Sequence, residues 1–474
     1  MKGYDVRGLV ETQLTPQVCR ALGAAFARVI VLGDGHRQIV IGHDMRDSSP
    51  ALTAAFAQGA RAAGVDVVHI GLCATDQLYF ASGTLACPGA MITASHNPAA
   101  YNGVKMCRSH AVPLGTDTGL LLVRDLAQWM LDRGDVHPQA MSAAGKASGT
   151  LIARDVLADY AAYLHSLVDL GGIRPLRVVV DAGNGMGGLT APAVLSPLAA
   201  IDVVGLYLEL DGTFPHHEAN PLEPANIVDL QRAVGEQQAD LGLAFDGDAD
   251  RCFVVDERGE PVTASAITAL VAAREIAKGV YAGVPASDIT VVHNTISSRA
   301  VPETVLALGA QAVVAKVGHS YVKAEMAAYD AVFGGEHSGH YYFRDFWRAD
   351  TGMLAALHVL AALGGAPANV TMSSLAAPYD PYVHSGEINS TVSDSAAAVA
   401  AVIDWGSAKP GVVTSQPDGV TLVKDGQDGH FWTVSVRASN TEPLLRLNVE
   451  SDEASTMAHV RDEVLAVIVG TVTS

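Results

Sequence analysis

The residues best suited to chemistry lie in Thr93-Ala94-Ser95-His96-Asn97-Pro98, directly after a short apolar run at 89–92. The run predicts a buried strand, so Ser95 is expected at the exposed end of that strand. A serine hydroxyl is a weak nucleophile that needs a base, a metal or a preformed phosphoryl group beside it. His96 and Lys105 are the nearest titratable candidates. An N-capping serine in an Asn-Pro turn explains this stretch equally well when it is taken alone.

A second stretch, Asp246-Gly247-Asp248-Ala249-Asp250-Arg251, lies between apolar runs at 241–245 and 252–255. Alternate carboxylates in an extended loop can point the same way, and three converging negative charges need a counter-ion. The pattern favours a hard divalent cation, with Mg²⁺ preferred if phosphate completes its shell. An EF-hand is a weaker interpretation, because Arg251 stands where its loop needs glycine and the flanks predict strands. A solvated acidic turn would also explain the cluster.

Two further polar stretches follow strands nearer the C-terminus. In Glu336-His337-Ser338-Gly339-His340, Glu336 and Ser338 are two residues apart and could both hydrogen-bond adjacent hydroxyls of a sugar. Arg437, followed by Ser439-Asn440-Thr441, offers the guanidinium fork, hydroxyls and amide of a phosphate clamp. Taken alone, each of these two stretches is also compatible with an ordinary turn that has no ligand. Together, the four stretches supply a nucleophile, a metal-binding loop, residues that can bind sugar hydroxyls and residues that can bind a phosphate. These are the groups needed to transfer a phosphoryl group on a sugar.

The elements that must position these stretches read as alternating strands and helices. Apolar runs at 38–42 and 65–70 predict strands, each followed by a predicted helix. Such alternation is typical of an α/β fold with a mostly parallel sheet, whose ligand sites lie beyond the carboxyl ends of the strands. A further helix is predicted over 153–170. The glycine-rich turn at 181–188 could cradle a phosphate, but a tight turn or a domain contact is the better interpretation.

The length of 474 residues indicates three or four domains. Three strand-and-helix units are built alike, and from about residue 378 the pattern changes to an α+β type. We therefore predict three α/β/α domains, with a linker near 141–149, and a C-terminal α+β domain. The predicted boundaries are 1–145, 146–255, 256–370 and 371–474.

Composition excludes several function classes. The net charge of −20, from 50 acidic and 30 basic residues, argues against nucleic acid or an anionic membrane as a partner. The longest apolar stretches are about half a membrane span, and the N-terminal residues do not resemble a secretory signal, so a cytoplasmic protein is expected. The 5 cysteines are scattered without a Cys-x-x-Cys pair, which indicates neither a disulfide framework nor a zinc site. Monomer and dimer are both compatible with these features.

The four stretches, in this order and at this spacing, resemble the alpha-D-phosphohexomutase family, and Tyr4-Asp5-Val6-Arg7-Gly8 extends the resemblance towards the N-terminus. The family fold has three related α/β/α domains and a fourth, TATA-binding-protein-like α+β domain around a central cleft. The resemblance implies an isomerase that interconverts mannose 6-phosphate and mannose 1-phosphate, with glucose phosphates as further substrates. The reaction would pass through a phosphoserine and a hexose 1,6-bisphosphate, which also serves as activator.

The resemblance also implies roles for individual residues. Ser95 would be the phosphoserine, and its phosphate would share Mg²⁺ with Asp246, Asp248 and Asp250. Proton transfer and phosphate contact fall to Lys105 and His340 first, then to His96 and Arg7. Glu336 and Ser338 would bind the 3- and 4-hydroxyls of the sugar. The remaining substrate-binding residues implied are Tyr4, Arg251, Arg437, Ser439, Asn440 and Thr441.

One residue departs from the family pattern. His337 stands where members often carry Met or Gln, and because Gln accompanies amino-sugar substrates, a phosphoglucosamine mutase is disfavoured. Three further hypotheses are a phosphoglucomutase, a serine-dependent phosphatase and a catalytically silent sugar-phosphate-binding protein. The complete set of Ser95, Lys105 and three aspartates argues against the silent protein.

Overall fold

The computed structural model describes residues 5–134, 148–426, 429–438 and 444–470. The chain divides into two units. Unit 1 comprises Met1–Ile267 and Ser338–Leu375, and unit 2 comprises Thr268–His337 and Ala376–Ser474. No helix within the described ranges is both long and apolar enough to cross a lipid bilayer.

The first sheet of unit 1 has six strands in the order β1-β5-β4-β2-β3-β6. Strands β4, β2, β3 and β6 run parallel, whereas β1 and β5 are antiparallel to their neighbours. The strands are β1 Val6–Leu9, β2 Gln38–His43, β3 Asp66–Leu72, β4 Gly89–Ile92, β5 Tyr101–Cys107 and β6 Leu151–Ala153. The helices are Pro16–Phe26, Ser49–Ala62, Thr75–Thr84 and Leu120–Asp132. The predicted strand before Ser95 is therefore confirmed.

The predicted helix over 153–170 is wrong at its start. Residues 151–153 form β6, and the helix spans Leu157–Leu167. The Asp155 carboxylate accepts a hydrogen bond from the backbone N–H of Leu157 at 2.9 Å. An acceptor of this kind at a helix N-terminus satisfies one of its unpaired donors, so the helix begins after the aspartate.

The second sheet of unit 1 has the order β11-β10-β9-β7-β8. Its strands are β7 Leu176–Asp181, β8 Ile201–Leu206, β9 Leu241–Phe245, β10 Cys252–Asp256 and β11 Pro261–Val262, and its helices are Gly187–Leu195 and Val228–Glu236. β9 and β10 form an antiparallel hairpin. The residues that connect them, 246–251, are called the acidic loop. Because both flanks of the loop are strands, the EF-hand interpretation is excluded.

The helix Ala264–Tyr281 begins in unit 1 and ends in unit 2. In unit 2, the strands β12 Thr290–Asn294, β13 Gln311–Ala315 and β14 Phe333–Gly335 are parallel in the order β13-β12-β14. Their helices are Ala300–Ala307 and His319–Ala328. In unit 1, β15 Tyr341–Phe343 and β16 Ala349–Asp350 pair antiparallel and precede the helices Gly352–Gly365 and Met372–Ala376.

Unit 2 also contains an antiparallel sheet in the order β17-β22-β21-β20-β19, in which β18 also pairs with β22. Its strands are β17 Val383–His384, β18 Ile388–Thr391, β19 Val412–Ser415, β20 Val420–Lys424, β21 Trp432–Ala438 and β22 Leu444–Ser451. The helices Ser395–Ser407 and Ala454–Gly470 share one apolar core with the sheet. The predicted change to an α+β arrangement is therefore confirmed.

The helices Pro16–Phe26 and Ser49–Ala62 of unit 1 pack with their backbones in contact. A Cβ atom at Gly59 would lie 2.0 Å from the carbonyl oxygen of Arg20, and one at Gly23 would lie 2.1 Å from that of Phe56. Real Cβ atoms do not approach this closely, so both glycines are required for the helices to pack at this distance.

We expect Gly59→Ala to lower the free energy of unfolding by about 1–3 kcal/mol, because the added methyl group forces the helices apart. Gly235→Ala is the matched control. Gly235 lies in the helix Val228–Glu236 with no atom within 4 Å of its Cβ position, so alanine there should be neutral or stabilise by about 0.5–1 kcal/mol. Urea unfolding of both variants measures the difference, and equal stabilities would contradict the close-packing account.

Candidate active site

Ser95 lies just beyond the carboxyl end of β4 and is 2% exposed. Its φ of +52° is unusual for a residue with a side chain. The hydroxyl donates a hydrogen bond to Oδ2 of Asp246 at 2.8 Å and lies 3.1 Å from Nδ1 of His96. The backbone conformation therefore directs the hydroxyl towards the acidic loop.

The three aspartates of the acidic loop are buried, with exposures of 0%, 0% and 2% for Asp246, Asp248 and Asp250. Each offers a carboxylate oxygen, and these oxygens lie within 4.8 Å of one another. Lys105 Nζ donates to Oδ2 of Asp248 at 2.7 Å and to Oδ2 of Asp250 at 2.6 Å. The solvated-turn interpretation is therefore wrong, and the carboxylates form one compensated cluster.

Burial and mutual repulsion set the protonation of this cluster. Burial raises the pKa of Asp246 to about 6, although the nearby Arg251 guanidinium favours its ionised form. Burial opposes the charge of Lys105, yet Asp248 and Asp250 together raise its pKa above the ordinary value. The ammonium group thus stays charged, as expected for a cation held between two carboxylates.

The donor set of the acidic loop fits a divalent cation. Oδ1 of Asp248 is buried and receives no hydrogen bond from the described residues. A buried carboxylate oxygen without a donor is costly unless an ion completes its surroundings. Three converging carboxylates are the hard oxygen ligands that Mg²⁺ and similar ions prefer. The acidic loop can therefore hold a metal ion.

The segment 93–101, which follows β4 and contains Ser95, is called the serine loop. Arg7 and Arg251 contact this loop, and His96 belongs to it. Arg7 donates to the carbonyl of Ala94 at 3.1 Å, and Arg251 donates from Nε to Oδ2 of Asp246 at 3.0 Å. The Arg251 guanidinium also contacts Nδ1 of His96. Burial, together with the charge of Arg251, lowers the pKa of His96 well below its usual value. His96 is therefore a neutral acceptor here.

His340 lies at the other side of the acidic loop. Its Nε2 is 3.5 Å from Oδ1 of Asp250, and its Nδ1 is 2.9 Å from the hydroxyl of Ser338. Burial lowers the pKa of His340, but the hydrogen bond and charge of Asp250 outweigh this and raise it. Asp250 thus contacts both the Lys105 ammonium group and the His340 imidazole, and it favours the protonated form of each.

Two residues at the start of the helix Thr75–Thr84 also support the site, and neither belongs to a recognisable motif. Thr75 donates its backbone N–H to the carbonyl of Asp248 at 3.0 Å and its hydroxyl to Oδ2 at 2.6 Å. Asp76 accepts hydrogen bonds from the hydroxyls of Tyr160 at 2.6 Å and Thr351 at 2.7 Å. Burial raises the pKa of Asp76 to about 7. Sequence reasoning missed both residues, because each acts through a partner distant in the chain.

The glycine-rich turn at 181–188 packs against the acidic loop. The backbone N–H of Met186 donates to the carbonyl of Gly247 at 2.9 Å, and a Cβ atom at Gly185 would lie 2.7 Å from the same oxygen. A Cβ atom at Gly247 would in turn lie 2.4 Å from the carbonyl oxygen of Ser95. The structure therefore favours the domain-contact interpretation of this turn over the phosphate cradle.

Unit 2 contains two of the described residues predicted to bind substrate, Glu336 and Arg437. Glu336 is 2% exposed and accepts from the backbone N–H of Gly318 at 2.8 Å. Arg437 donates to Glu387 at 3.1 Å. Ser338 belongs to unit 1, so a shared orientation of Glu336 and Ser338 stays a prediction. Tyr4, Ser439, Asn440 and Thr441 lie outside the described residues.

Four family models match the chain in order. They are described as phosphoglucomutase/phosphomannomutase alpha/beta/alpha domain I, for residues 1–128, domain II, for 158–259, domain III, for 264–382, and the C-terminal domain, for 387–467.

Similar proteins cover nearly the whole chain. A relative from Xanthomonas campestris pv. campestris named "Phosphohexose mutases" is 37% identical over 464 residues, which are 98% of this chain and 97% of the relative. A phosphomannomutase from Salmonella montevideo is 36% identical over 95% of this chain and 94% of its own length. The crystal structure of a phosphoglucomutase/phosphomannomutase family protein from Burkholderia thailandensis has a TM-score of 0.84 and 29% identity, covering 99% of this chain and 97% of that one.

We expect a divalent cation such as Mg²⁺, at about 100 times its dissociation constant, to stabilise the protein by about 2.7 kcal/mol, since it binds only the folded cluster. Asp248→Asn removes one ligand charge and should abolish most of the rise in melting temperature. Asp202→Asn, at a carboxylate whose side chain is 62% exposed, should leave the rise intact. Thermal melts with and without the cation measure it, and an undiminished rise in Asp248→Asn would place the ion elsewhere.

Proposed function

The chain belongs to the phosphoglucomutase/phosphomannomutase family, and from that premise we propose that it interconverts mannose 6-phosphate and mannose 1-phosphate and also acts on glucose phosphates. As a family member it is a mutase, an intramolecular phosphotransferase. The proposal that Ser95 carries the phosphoryl group is supported by the position of its hydroxyl. The Ser95 hydroxyl lies 2.8 Å from Asp246 within a buried carboxylate cluster, which is where a phosphoryl group on that hydroxyl could share a cation with the carboxylates.

The proposed reaction begins with Ser95 phosphorylated. The 6-hydroxyl of a hexose 1-phosphate attacks the phosphoryl group, the bond from phosphorus to Oγ breaks, and the hydroxyl proton passes to a group of the protein. The resulting 1,6-bisphosphate then reorients in the site. Oγ attacks the phosphorus at position 1, the bond from that phosphorus to O1 breaks, and O1 takes up the proton, which gives the hexose 6-phosphate. Little covalent work falls to the protein beyond Ser95, so positioning and charge neutralisation carry the catalysis.

Cationic groups already face the reacting hydroxyl. Arg251 donates to Asp246 and is near the Ser95 hydroxyl at 3.4 Å. Lys105 is assigned the neutralisation of phosphoryl charge, because Asp248 and Asp250 keep its ammonium group charged. His340 is assigned the proton transfer, in which its neutral imidazole takes the proton of the attacking hydroxyl and its protonated form returns that proton to the leaving oxygen. His96 and Arg7 are assigned the shaping of the serine loop, since one is held neutral and the other bonds to the loop backbone.

The cofactor assignment rests on the acidic loop. Asp246, Asp248 and Asp250, with a phosphate oxygen on Ser95, would hold Mg²⁺, which when bound supplies further neutralisation of the phosphoryl charge. Hexose 1,6-bisphosphate is the proposed activator, because it can rephosphorylate Ser95 whenever the phosphoryl group is lost.

Sugar recognition is assigned to the residues of the second half of the chain. Glu336 and Ser338 would bind the 3- and 4-hydroxyls, and Arg437 with residues 439–441 would bind the phosphate that is not transferred. From the first half of the chain, Tyr4 is also assigned to substrate binding, and Arg251 is assigned contact with the phosphoserine region. We further propose domain boundaries near residues 145, 255 and 370, free hexose phosphates as substrates and a cytoplasmic location.

We expect Ser95→Ala to reduce turnover of mannose 1-phosphate by at least a thousandfold, since no other hydroxyl replaces the phosphoryl carrier. Substrate binding should survive, as measured by calorimetry beside a coupled assay. Ser196→Ala, at an exposed serine, is the control and should retain full activity. Wild-type turnover in Ser95→Ala would remove Ser95 from the mechanism.

We expect turnover of glucose 1-phosphate to lie within about tenfold of that of mannose 1-phosphate. The two sugars differ only at C2, whereas Glu336 and Ser338 are assigned the 3- and 4-hydroxyls, so the difference between the sugars should not exceed about 1.4 kcal/mol, which is a factor of ten. Glu336→Gln should raise KM for both sugars by a similar factor, because its partner hydroxyl is common to them. Parallel assays on both substrates measure the ratio, and a variant that altered KM for one sugar alone would contradict the assignment of Glu336.

A further inference from the structure

Arg46 is an arginine buried to 1% exposure beneath the serine loop. Its Nη2 donates to the carbonyl oxygens of Ser95 at 2.7 Å and Asn97 at 2.6 Å, and its Nη1 donates to those of Pro98 and Tyr101, both at 3.0 Å. A guanidinium group has five N–H donors in a rigid fork. Four of them are thus directed at four carbonyls of a single loop.

The fifth donor of Arg46 is bound to Asp44. Nε lies 3.2 Å from Oδ2 of Asp44, whose Oδ1 accepts from the Arg46 backbone N–H at 3.1 Å and the Ser49 hydroxyl at 2.5 Å. Asp44 itself is 1% exposed. The ion pair is therefore buried on both sides, and its carboxylate is satisfied by several donors, which fixes the direction of the guanidinium plane.

The segment 212–214, from the second domain, packs against Arg46 and covers a face of its guanidinium group. The ring of Phe214 lies 5.1 Å from the Arg46 guanidinium carbon, in the geometry of a cation–π contact. A Cβ atom at Gly212 would lie 2.6 Å from Cα of Arg46. The two domains thus meet with their backbones in contact at this arginine, and Phe214 closes it off from water.

Ser95 is the residue on which these contacts converge. With φ at +52° it occupies the left-handed region, which is unfavourable for a residue with a side chain and persists only where the surroundings determine it. The Arg46 bond to the Ser95 carbonyl holds the peptide on the C-terminal side of the residue, while the Thr93 hydroxyl accepts from the Ser95 backbone N–H at 2.9 Å. Both peptides of Ser95 are anchored.

We propose that Arg46 is a positioning residue for phosphoryl transfer, which holds the serine loop in the strained conformation that directs the Ser95 hydroxyl at the acidic loop. Phe214 supports it by covering the guanidinium. Arg46 contacts no substrate and acts entirely through Ser95. This inference rests on the proposed function, because it needs Ser95 to be the phosphoryl carrier.

Arg46→Lys is the first test, because an ammonium group keeps the charge beside Asp44 but cannot reach four carbonyls with fork geometry. We expect kcat for mannose 1-phosphate, normalised to the phosphoserine content measured by intact mass, to fall at least tenfold while KM stays within twofold. Hydrogen exchange at the amides of Asn97 and Tyr101 should accelerate. A purely structural role would lower the folded fraction and leave the normalised kcat unchanged.

Phe214→Leu is the second variant, because it keeps every hydrogen bond of Arg46 and removes only the covering ring. We expect at least a threefold fall in normalised kcat with unchanged KM. This variant decides the matter if Arg46→Lys does not fold. Arg20→Lys is the control, since Arg20 bonds Gln58 at the surface, and it should match the wild-type enzyme.

The outcomes separate this inference from the proposed function. Wild-type normalised kcat in Arg46→Lys, or in Phe214→Leu if the lysine variant is unfolded, overturns the role of Arg46 while Ser95→Ala remains inactive. Wild-type turnover in Ser95→Ala overturns the function itself, and with it the reason for a positioned serine loop.

Discussion

The structure depends on compensating negative charge that has been removed from water. Three aspartate carboxylates lie buried within one loop, and such a cluster is stable only if cations and donors from elsewhere in the chain reach it. Lys105 from β5, Arg251 from the end of the loop itself and Thr75 from a helix terminus do so. The requirement for charge compensation thus brings together segments that are far apart in the sequence.

Close backbone approach is the second requirement. Gly247 and Gly185 let the acidic loop touch both the serine loop and the glycine-rich turn, at distances that a side chain would prevent. Arg46 binds the serine loop from below through its carbonyl oxygens. The position of the Ser95 hydroxyl therefore results from peptide groups of several loops, and only in part from the side chains that surround it.

Sequence reasoning reached the features that depend on local pattern. The strand before Ser95 and the hairpin around the acidic loop are apolar runs that end in polar residues, and such runs carry their own signal. Arg46, Thr75 and Asp76 carry no such signal, since each is a single polar residue near the start of a helix whose importance comes from burial and distant partners. The helix predicted over 153–170 is present but begins later than predicted, at Leu157, because Asp155 accepts a hydrogen bond from its first N–H group. Roles of individual side chains followed from resemblance, not from spacing.

The division of unit 1 along the chain affects how the protein is made. The unit takes its first segment from Met1–Ile267 and its second from Ser338–Leu375. Domains generally fold as their residues leave the ribosome, yet here His340, which pairs with Asp250, and Thr351, which bonds Asp76, are synthesised after an intervening segment of unit 2. Asp250 therefore lacks His340, and Asp76 lacks Thr351, until residues 338–375 have been made, so unit 1 reaches its full set of contacts only after the intervening segment of unit 2 has been synthesised.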